Sequence, residues 1–392
     1  MARRTRDYDE DDVRVRPGRR GSKPRTRRRP AHDDAVAGFV TAVDRGRYQC
    51  LLDDSTDEGT DDRPDLGGGT TPHDPRSAEE AAARPGRRRV VAMRARELGR
   101  KGVVVGDRVA LVGDVSGDPD TLARIVRVEP RTSSLRRTAD DTDPFERIIV
   151  ANADQLVIVT ALADPVPRPR MIDRQLVAAY DAGMDPLLCL TKADLGDPDA
   201  LVAEYAPLGV PYVVTVQGEE LGENRELRGH LKDRMSVLVG HSGVGKSTLV
   251  NALVPDAERA VSHVNAVTGR GRHTSSSAVA LELPDGEGWI IDTPGIRSFG
   301  LAHIKPENVI HAFEDLAEGA AERCPPHCDH LPGGRSEART TGEQLPGGLG
   351  GRPPREAGQD CGLDEWVTEG HASRARLDSL RRLLAAREGE AE

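Results

Sequence analysis

Aromatic residues are scarce in this chain of 392 residues: two Trp, five Tyr and four Phe, 3% of the whole. Hydrophobic residues reach only 37%, so part of the length is not packed core. The stretch that reads as a small barrel holds Phe39 and Tyr48 alone, too few rings for reading nucleic acid by serial base stacking. Long apolar runs are missing too. No segment offers the roughly 18 apolar residues of a membrane span. The N-terminus is charged and has no apolar stretch of the secretory type, and its acidic run from Asp7 to Asp12 does not suit a transit peptide. The expectation is a soluble, cytoplasmic protein without a membrane partner.

Cysteine is sparse, with five in all, which excludes a disulfide-stapled scaffold. Cys50 and Cys189 stand alone in strand-like text and read as buried thiols. Cys324, Cys328 and Cys361 lie near the C-terminus and suit metal ligation better than disulfides. A net charge of −10 gives no general attraction to nucleic acid. The distribution says more: arginines crowd residues 1–34, which lack apolar periodicity and are expected to be disordered, and acidic residues gather in 52–66.

The length implies two or three domains. Strand-like runs fall at 38–43, 47–52, 88–95, 107–112 and 123–128, with a polar, Gly- and Pro-rich insertion at about 53–87. Five short strands between turn residues suit an OB-like barrel. After about 145 the text changes to near-continuous apolar runs at 155–162, 186–190, 212–216, 236–239, 279–283 and 289–291, separated by helical stretches. Such runs mean burial on both faces, as in a parallel sheet covered by helices on each side. A last amphipathic helix at about 372–387 carries Leu377, Leu380, Leu383 and Leu384 and is expected to pack on its own C-terminal domain.

The strongest motif is Gly240-His241-Ser242-Gly243-Val244-Gly245-Lys246-Ser247, a phosphate loop between an apolar run and a helix that opens at Thr248. Glycines let backbone N–H groups wrap around phosphate oxygens, and the helix N-terminus adds positive potential. Lys246 is expected to reach the β- and γ-phosphates, and Ser247 to bind Mg²⁺. Asp292-Thr293-Pro294-Gly295 follows a buried run, placing Asp292 to hold Mg²⁺ and the Gly295 N–H near the γ-phosphate. Between them, residues 269–274 form a basic segment in which Thr274 is a further Mg²⁺ candidate.

Thr191-Lys192-Ala193-Asp194 ends another apolar run. An aspartate there can accept N1–H and N2–H of guanine, a donor pair adenine lacks, so GTP and GDP are the expected ligands. Lys192 would lay its stem across the base. The usual first residue is Asn, and Thr191 departs from it. Val214-Thr215-Val216-Gln217 follows as the loop that closes over the base. The order is base loop, closing loop, phosphate loop, then the two switch segments: a cyclic rotation of the usual GTPase order.

On these motifs, together with residues 151–155 (Ala-Asn-Ala-Asp-Gln), 173–176 (Asp-Arg-Gln-Leu), 105–109 (Val-Gly-Asp-Arg-Val) and 130–135 (Pro-Arg-Thr-Ser-Ser-Leu), the chain resembles the RsgA (YjeQ) family, circularly permuted GTPases of small ribosomal subunit maturation. The resemblance covers roughly 38–392. It implies a multidomain α/β protein: an N-terminal OB-fold, a permuted P-loop GTPase and a C-terminal helical zinc-binding domain. Boundaries follow as a basic arm at 1–34, the RNA-binding barrel at 35–138, the GTPase at 139–305 and the zinc domain at 306–392, with an insertion at about 331–360. It further implies hydrolysis stimulated by the small (30S) subunit and its rRNA, and a catalytic histidine that falls on His273. Ile296 stands where many GTPases carry a water-orienting Gln, which leaves that task to a group such as His273; the alternative is that His273 faces RNA.

Cys324, Cys328, His330 and Cys361 offer three thiolates and an imidazole, a set for one structural zinc. The family's spacing is C-x4-C-x-H-x5-C. Here the first gap is one residue shorter, which brings His327 into competition, and about thirty residues separate His330 from Cys361. Loop closure grows only logarithmically with length, so the long excursion costs little. The expected protein is thus a monomeric GTP hydrolase using Mg²⁺. The alternatives are an RNA-binding assembly factor with nucleotide as a structural ligand, or a P-loop ATPase.

Overall fold

The computed structural model describes residues 32–44, 46–53, 88–98, 102–118, 121–137, 147–216, 218, 221, 223–255, 257, 278–293, 304, 306–325, 328–331 and 361–387. The arm and insertions at 1–31, 54–87 and 332–360 lie outside the described residues, as do His273, Thr274, Gly295 and His327. Everything below belongs to the unit that begins at Asp34. Among the described residues no helix is long and apolar enough to cross a membrane.

Five strands, β1 (Val36–Asp44), β2 (Arg47–Leu52), β3 (Arg89–Arg94), β4 (Arg108–Gly113) and β5 (Ala123–Val128), form the barrel. Side chains alternate, so Val40, Tyr48, Cys50, Val90, Leu111 and Ile125 fill the interior. The order β1-β2-β3-β5-β4 closes by pairing β4 back onto β1, from Val36 opposite Leu111 to Phe39 opposite Arg108. The parallel β3–β5 pair, with Ala92 opposite Ala123, completes an OB-fold. A register shift between Val40 and Ala42 bends the end of β1 out of the barrel.

A hairpin, β6 (Ser134–Arg137) and β7 (Arg147–Ala151), links barrel and core; the sequence pattern did not show these strands. The chain crosses itself tightly here. Gly106 sits at φ +87°, and a Cβ on it would stand 1.9 Å from the Ala151 carbonyl oxygen. Asn152 Nδ2 donates to the Gly106 carbonyl at 2.9 Å, and its Oδ1 accepts from the Thr132 N–H at 2.9 Å. Beside it the buried Asp107 takes two hydrogen bonds from Arg131, at 2.6 and 2.8 Å. The three short segments 105–109, 130–135 and 151–155 therefore meet at one joint.

Beyond the joint come β8 (Gln155–Ala161), β9 (Asp185–Thr191), β10 (Tyr212–Val214), β11 (Arg234–Val239), β12 (Val279–Glu282) and β13 (Gly288–Asp292). Strands β10-β9-β8-β11-β13 run parallel. β12 runs antiparallel to β13, because only a short turn at Pro284–Gly286 joins them and a parallel crossover needs many more residues. β12 also meets β1, Ala42 opposite Val279, so barrel and core share one sheet.

Period-two alternation splits each central strand between two cores. Leu156, Ile158, Leu188, Val237 and Ile291 face one side, where helix α1 (Pro169–Asp181) packs. Val157, Val159, Leu187, Leu238 and Ile290 face the other, with α3 (Arg225–Leu231) and α4 (Lys246–Leu253); α2 (Asp199–Tyr205) lies between β9 and β10 in the chain. The C-terminal helices are α5 (Pro306–Ile310), α6 (Glu314–Arg323), α7 (Leu363–Thr368) and α8 (Arg374–Arg387). α8 corrects an expectation. Its Leu377, Leu380, Leu383 and Leu384 do not pack only within their own domain; they join the α1 side of the parallel sheet in one core.

Polar contacts fix the same seam. Arg382 Nε lies 3.2 Å from Asp173 Oδ2, and its guanidinium covers the Tyr205 ring at 5.0 Å. The Tyr205 hydroxyl stands 3.1 Å from Asp173 Oδ1. Burial nevertheless pushes the Asp173 carboxyl up to about 6, against the pull of Arg382 and Tyr205.

Two outcomes follow from these contacts. Gly106→Ala forces a positive φ and a backbone collision, and chemical denaturation should show a loss of about 2–4 kcal/mol. An unfolded aspartate titrates near 4, so the folded state holds an extra proton on Asp173 between roughly pH 4 and 6. This group's contribution is therefore present at low pH and lost as pH rises through about 6. Asp173→Asn should remove a decline in stability of up to about 3 kcal/mol across that window, measured as urea stability against pH.

Candidate functional site

Strand order reverses between β8 and β11: the chain runs outward from β8 through β9 to β10, and from β11 toward β13. A crevice opens at the carboxyl ends of two strands where such a reversal occurs. The phosphate loop leaves β11 at this point. A Cβ on Gly240 would stand 2.4 Å from the Val159 carbonyl oxygen, so only glycine lets the loop pass this close to β8. Gly243 and Gly245 hold φ +85° and +93°, in the left-handed region that glycine favours. Gly245 is the N-cap of α4, which aims its free N–H groups into the loop. Ser242, Ser247 and Thr248 are exposed around it, and Val244 is buried beneath. His241 folds sideways, with Nε2 3.3 Å from Arg168 at the start of α1.

Lys246 turns back across the loop. Its ammonium donates to the Thr293 carbonyl at 3.2 Å and lies 3.9 Å from Asp292 Oδ1. Burial lowers the Lys246 pKa and raises that of Asp292, while each charge opposes the other's shift. Asp292 Oδ1 is buried with no hydrogen-bond partner. An orphaned carboxylate oxygen 3.9 Å from the ammonium of Lys246, the residue before the exposed Ser247, offers the oxygen chemistry that magnesium takes. Thr293, which the sequence reading passed over, is buried and donates its hydroxyl to the Leu238 carbonyl at 2.7 Å, clamping β13 to β11.

The base loop closes the other end. Thr191 ends β9, and its buried hydroxyl donates to the Val244 carbonyl at 2.6 Å. This contact joins base loop to phosphate loop across 53 residues of chain. Lys192 takes a left-handed φ of +57°, and its ammonium donates to the Asp164 carbonyl. The Ala193 N–H donates to the Thr215 carbonyl at 3.2 Å, and the Thr215 N–H to Leu190 at 2.7 Å, which holds the closing loop against the base loop. Asp194, which follows, is exposed.

At the C-terminal end, Cys324, Cys328, His330 and Cys361 bring one ligand atom each within 4.8 Å of one another. Cys324 Sγ lies 3.5 Å from His330 Nδ1 and 3.9 Å from Cys361 Sγ, and Cys361 Sγ lies 3.9 Å from the same Nδ1. Those separations approach the edges of a tetrahedron around zinc, so the cluster is compatible with that ion despite the altered spacing. Arg381 anchors it from behind: its Nε donates to the His330 carbonyl at 3.0 Å, and its other nitrogens bind Asp364 at 2.9 and 2.5 Å. An arginine only 6% exposed inside an amphipathic helix gives no periodic signal.

The RsgA GTPase family matches residues 128–302. A relative from Pseudomonas aeruginosa is 41% identical over 222 residues, which cover 55% of this chain and 63% of the relative's length. One from Pseudomonas syringae pv. tomato is 36% identical over 295 residues, covering 72% and 75%. Both are named small ribosomal subunit biogenesis GTPase RsgA. Two solved structures share the fold: YjeQ from Thermotoga maritima, with a TM-score of 0.56 at 22% identity, covering 91% of this chain and 100% of that one; and YloQ, a circularly permuted GTPase, with 0.55 at 20%, covering 93% and 99%. With a base loop that precedes its phosphate loop in the chain and is hydrogen-bonded to it in the fold, and with 36% identity across 75% of a relative's length, this chain belongs to the RsgA GTPase family.

Proposed function

We propose that this chain hydrolyses GTP to GDP and phosphate, that the small ribosomal subunit stimulates the reaction, and that it acts late in maturation of that subunit through rRNA, as a cytoplasmic monomer. The observation that carries the reading is the buried Thr191–Val244 contact, which makes one crevice from a guanine-reading loop and a phosphate loop. The names of the relatives supply the ribosomal part.

The roles follow from placement. Thr191 to Asp194 hold the base, with Asp194 accepting N1–H and N2–H. The loop from Gly240 to Gly245 and the first turn of α4, Lys246 to Thr248, hold the phosphates, with Gly295 offering its N–H to the γ-phosphate. Magnesium, held by Ser247, Asp292 and Thr274, supplies charge neutralisation on the phosphates when bound. Lys246, already drawn into the crevice, gives up its Thr293 contact for phosphate oxygens. His273 orients the attacking water; with no covalent intermediate, catalysis is positioning and charge stabilisation. Cys324, Cys328, His330 and Cys361 hold a structural zinc, since four ligands leave no open position. Residues 35–138, 139–305 and 306–392 are the RNA-binding, GTPase and zinc domains, preceded by the basic arm at 1–34.

GTP turnover should rise strongly with purified small subunits and not with large subunits or bulk RNA. Flat turnover in all conditions, with guanine nucleotide still bound, would favour an assembly factor that uses nucleotide structurally. His273→Ala should lower stimulated turnover by about 100-fold or more with binding intact, the scale of a water-positioning group; unchanged turnover would remove His273 from the mechanism. Elemental analysis should find one zinc per chain, and Cys361→Ser should lose it together with a drop in melting temperature.

A further inference from the structure

Thr191 stands where base loops of this type usually carry asparagine, and its surroundings say what the replacement does. A threonine hydroxyl has one hydrogen to give. Both oxygens in reach are carbonyl acceptors, Val244 at 2.6 Å and Thr160 at 3.3 Å. The rest of the side chain lies along the phosphate loop: a Cβ on Gly245 would stand 3.8 Å from Thr191 Cβ and 4.0 Å from its Cγ2. The residue is buried, and its only side-chain donor is committed to the phosphate loop. An asparagine amide has two hydrogens and could serve Val244 while offering the second outward.

The outward direction is where one edge of the base must lie. If Asp194 takes N1–H and N2–H, the six-membered ring faces Asp194. The ribose leaves from N9 on the five-membered ring and runs to the phosphate loop. That ring, with N7, therefore faces the residue that joins the two loops, Thr191. N7 only accepts hydrogen bonds, and Thr191 has none to give it. The neighbouring Ala193 N–H is taken by the Thr215 carbonyl.

We propose that this chain reads guanine without a hydrogen bond to N7, so that guanine nucleotides whose N7 position cannot accept one bind as well as GDP or GTP. The inference rests on the guanine-site reading above. Burying an unpaired acceptor carries a desolvation cost, so replacing N7 by C–H removes a penalty rather than a contact. Selectivity against adenine is untouched, since it resides at the opposite edge of the ring.

The test is competition on the full chain against a fluorescent GDP, using GDP and 7-deaza-GDP, for the wild type and for Thr191→Asn. The wild type should bind 7-deaza-GDP within about twofold of GDP, or tighter. Thr191→Asn should acquire a preference for GDP of roughly five- to tenfold, the value of one hydrogen bond. A wild type that favours GDP by roughly fivefold or more overturns the proposal, because another donor then serves N7. A Thr191→Asn protein that binds GDP normally and gains no preference overturns the part assigned to residue 191. If GDP itself fails to displace the probe, the guanine-site reading falls, an outcome distinct from either.

Discussion

β8 is buried along all seven of its residues, and most of the fold answers to that constraint. A strand with apolar side chains on both faces cannot stand at an edge or leave one side to water. It therefore takes a neighbour on each flank, β9 and β11, both parallel to it, and each face needs its own layer. On one side α3 and α4 suffice. On the other, α1 shares the work with α5 and α8, so a C-terminal region that reads as a separate domain is part of the cover on the central sheet. The Asp173–Arg382 pair and the packed leucines of α8 belong to that requirement.

The same sheet sets the chemistry. Reversal of strand order next to β8 opens the crevice, and close approach of the phosphate loop to the Val159 carbonyl brings backbone amides to its floor. Thr191 then spans from β9 to that loop, so the two loops are joined by one buried hydrogen bond rather than by chain continuity. A cyclic rotation of the motifs is harmless for this reason: each loop is held by the strand before it, and the strands keep their places whatever order the chain visits them.

Much of this was legible in the sequence because the signals are local. Glycine spacing defines the phosphate loop, apolar runs mark β8, β9 and β11, and alternation marks the barrel strands. Where the signal is tertiary, it fades. The β6–β7 hairpin has strands of four and five residues, one of them Ser-Leu-Arg-Arg, and Asn152 at its end is held by the remote Gly106. The leucines of α8 announce a buried face but not what it faces. An apolar run carries no direction, so β12 could not be read as antiparallel. The Cys/His cluster was readable by residue type although the spacing was irregular, because the meeting of Cys361 with Cys324 depends on helices packing and not on local geometry. His273, Thr274 and Gly295 lie outside the described residues, and the switch chemistry rests on sequence alone.

One strand, β1, is hydrogen-bonded on both sides of the barrel seam and also to β12, while Phe39 meets Trp289 edge to face at 4.8 Å. Barrel and core are thus a continuous sheet and not beads on a linker. A chain cut before residue 130 would lose more than a barrel. It would bare the backbone of β12 and one face of the Trp289 ring, an unprotected sheet edge of the kind that recruits other chains. The barrel covers the edge of the sheet it precedes, and the two cannot be shuffled apart without replacing that cover.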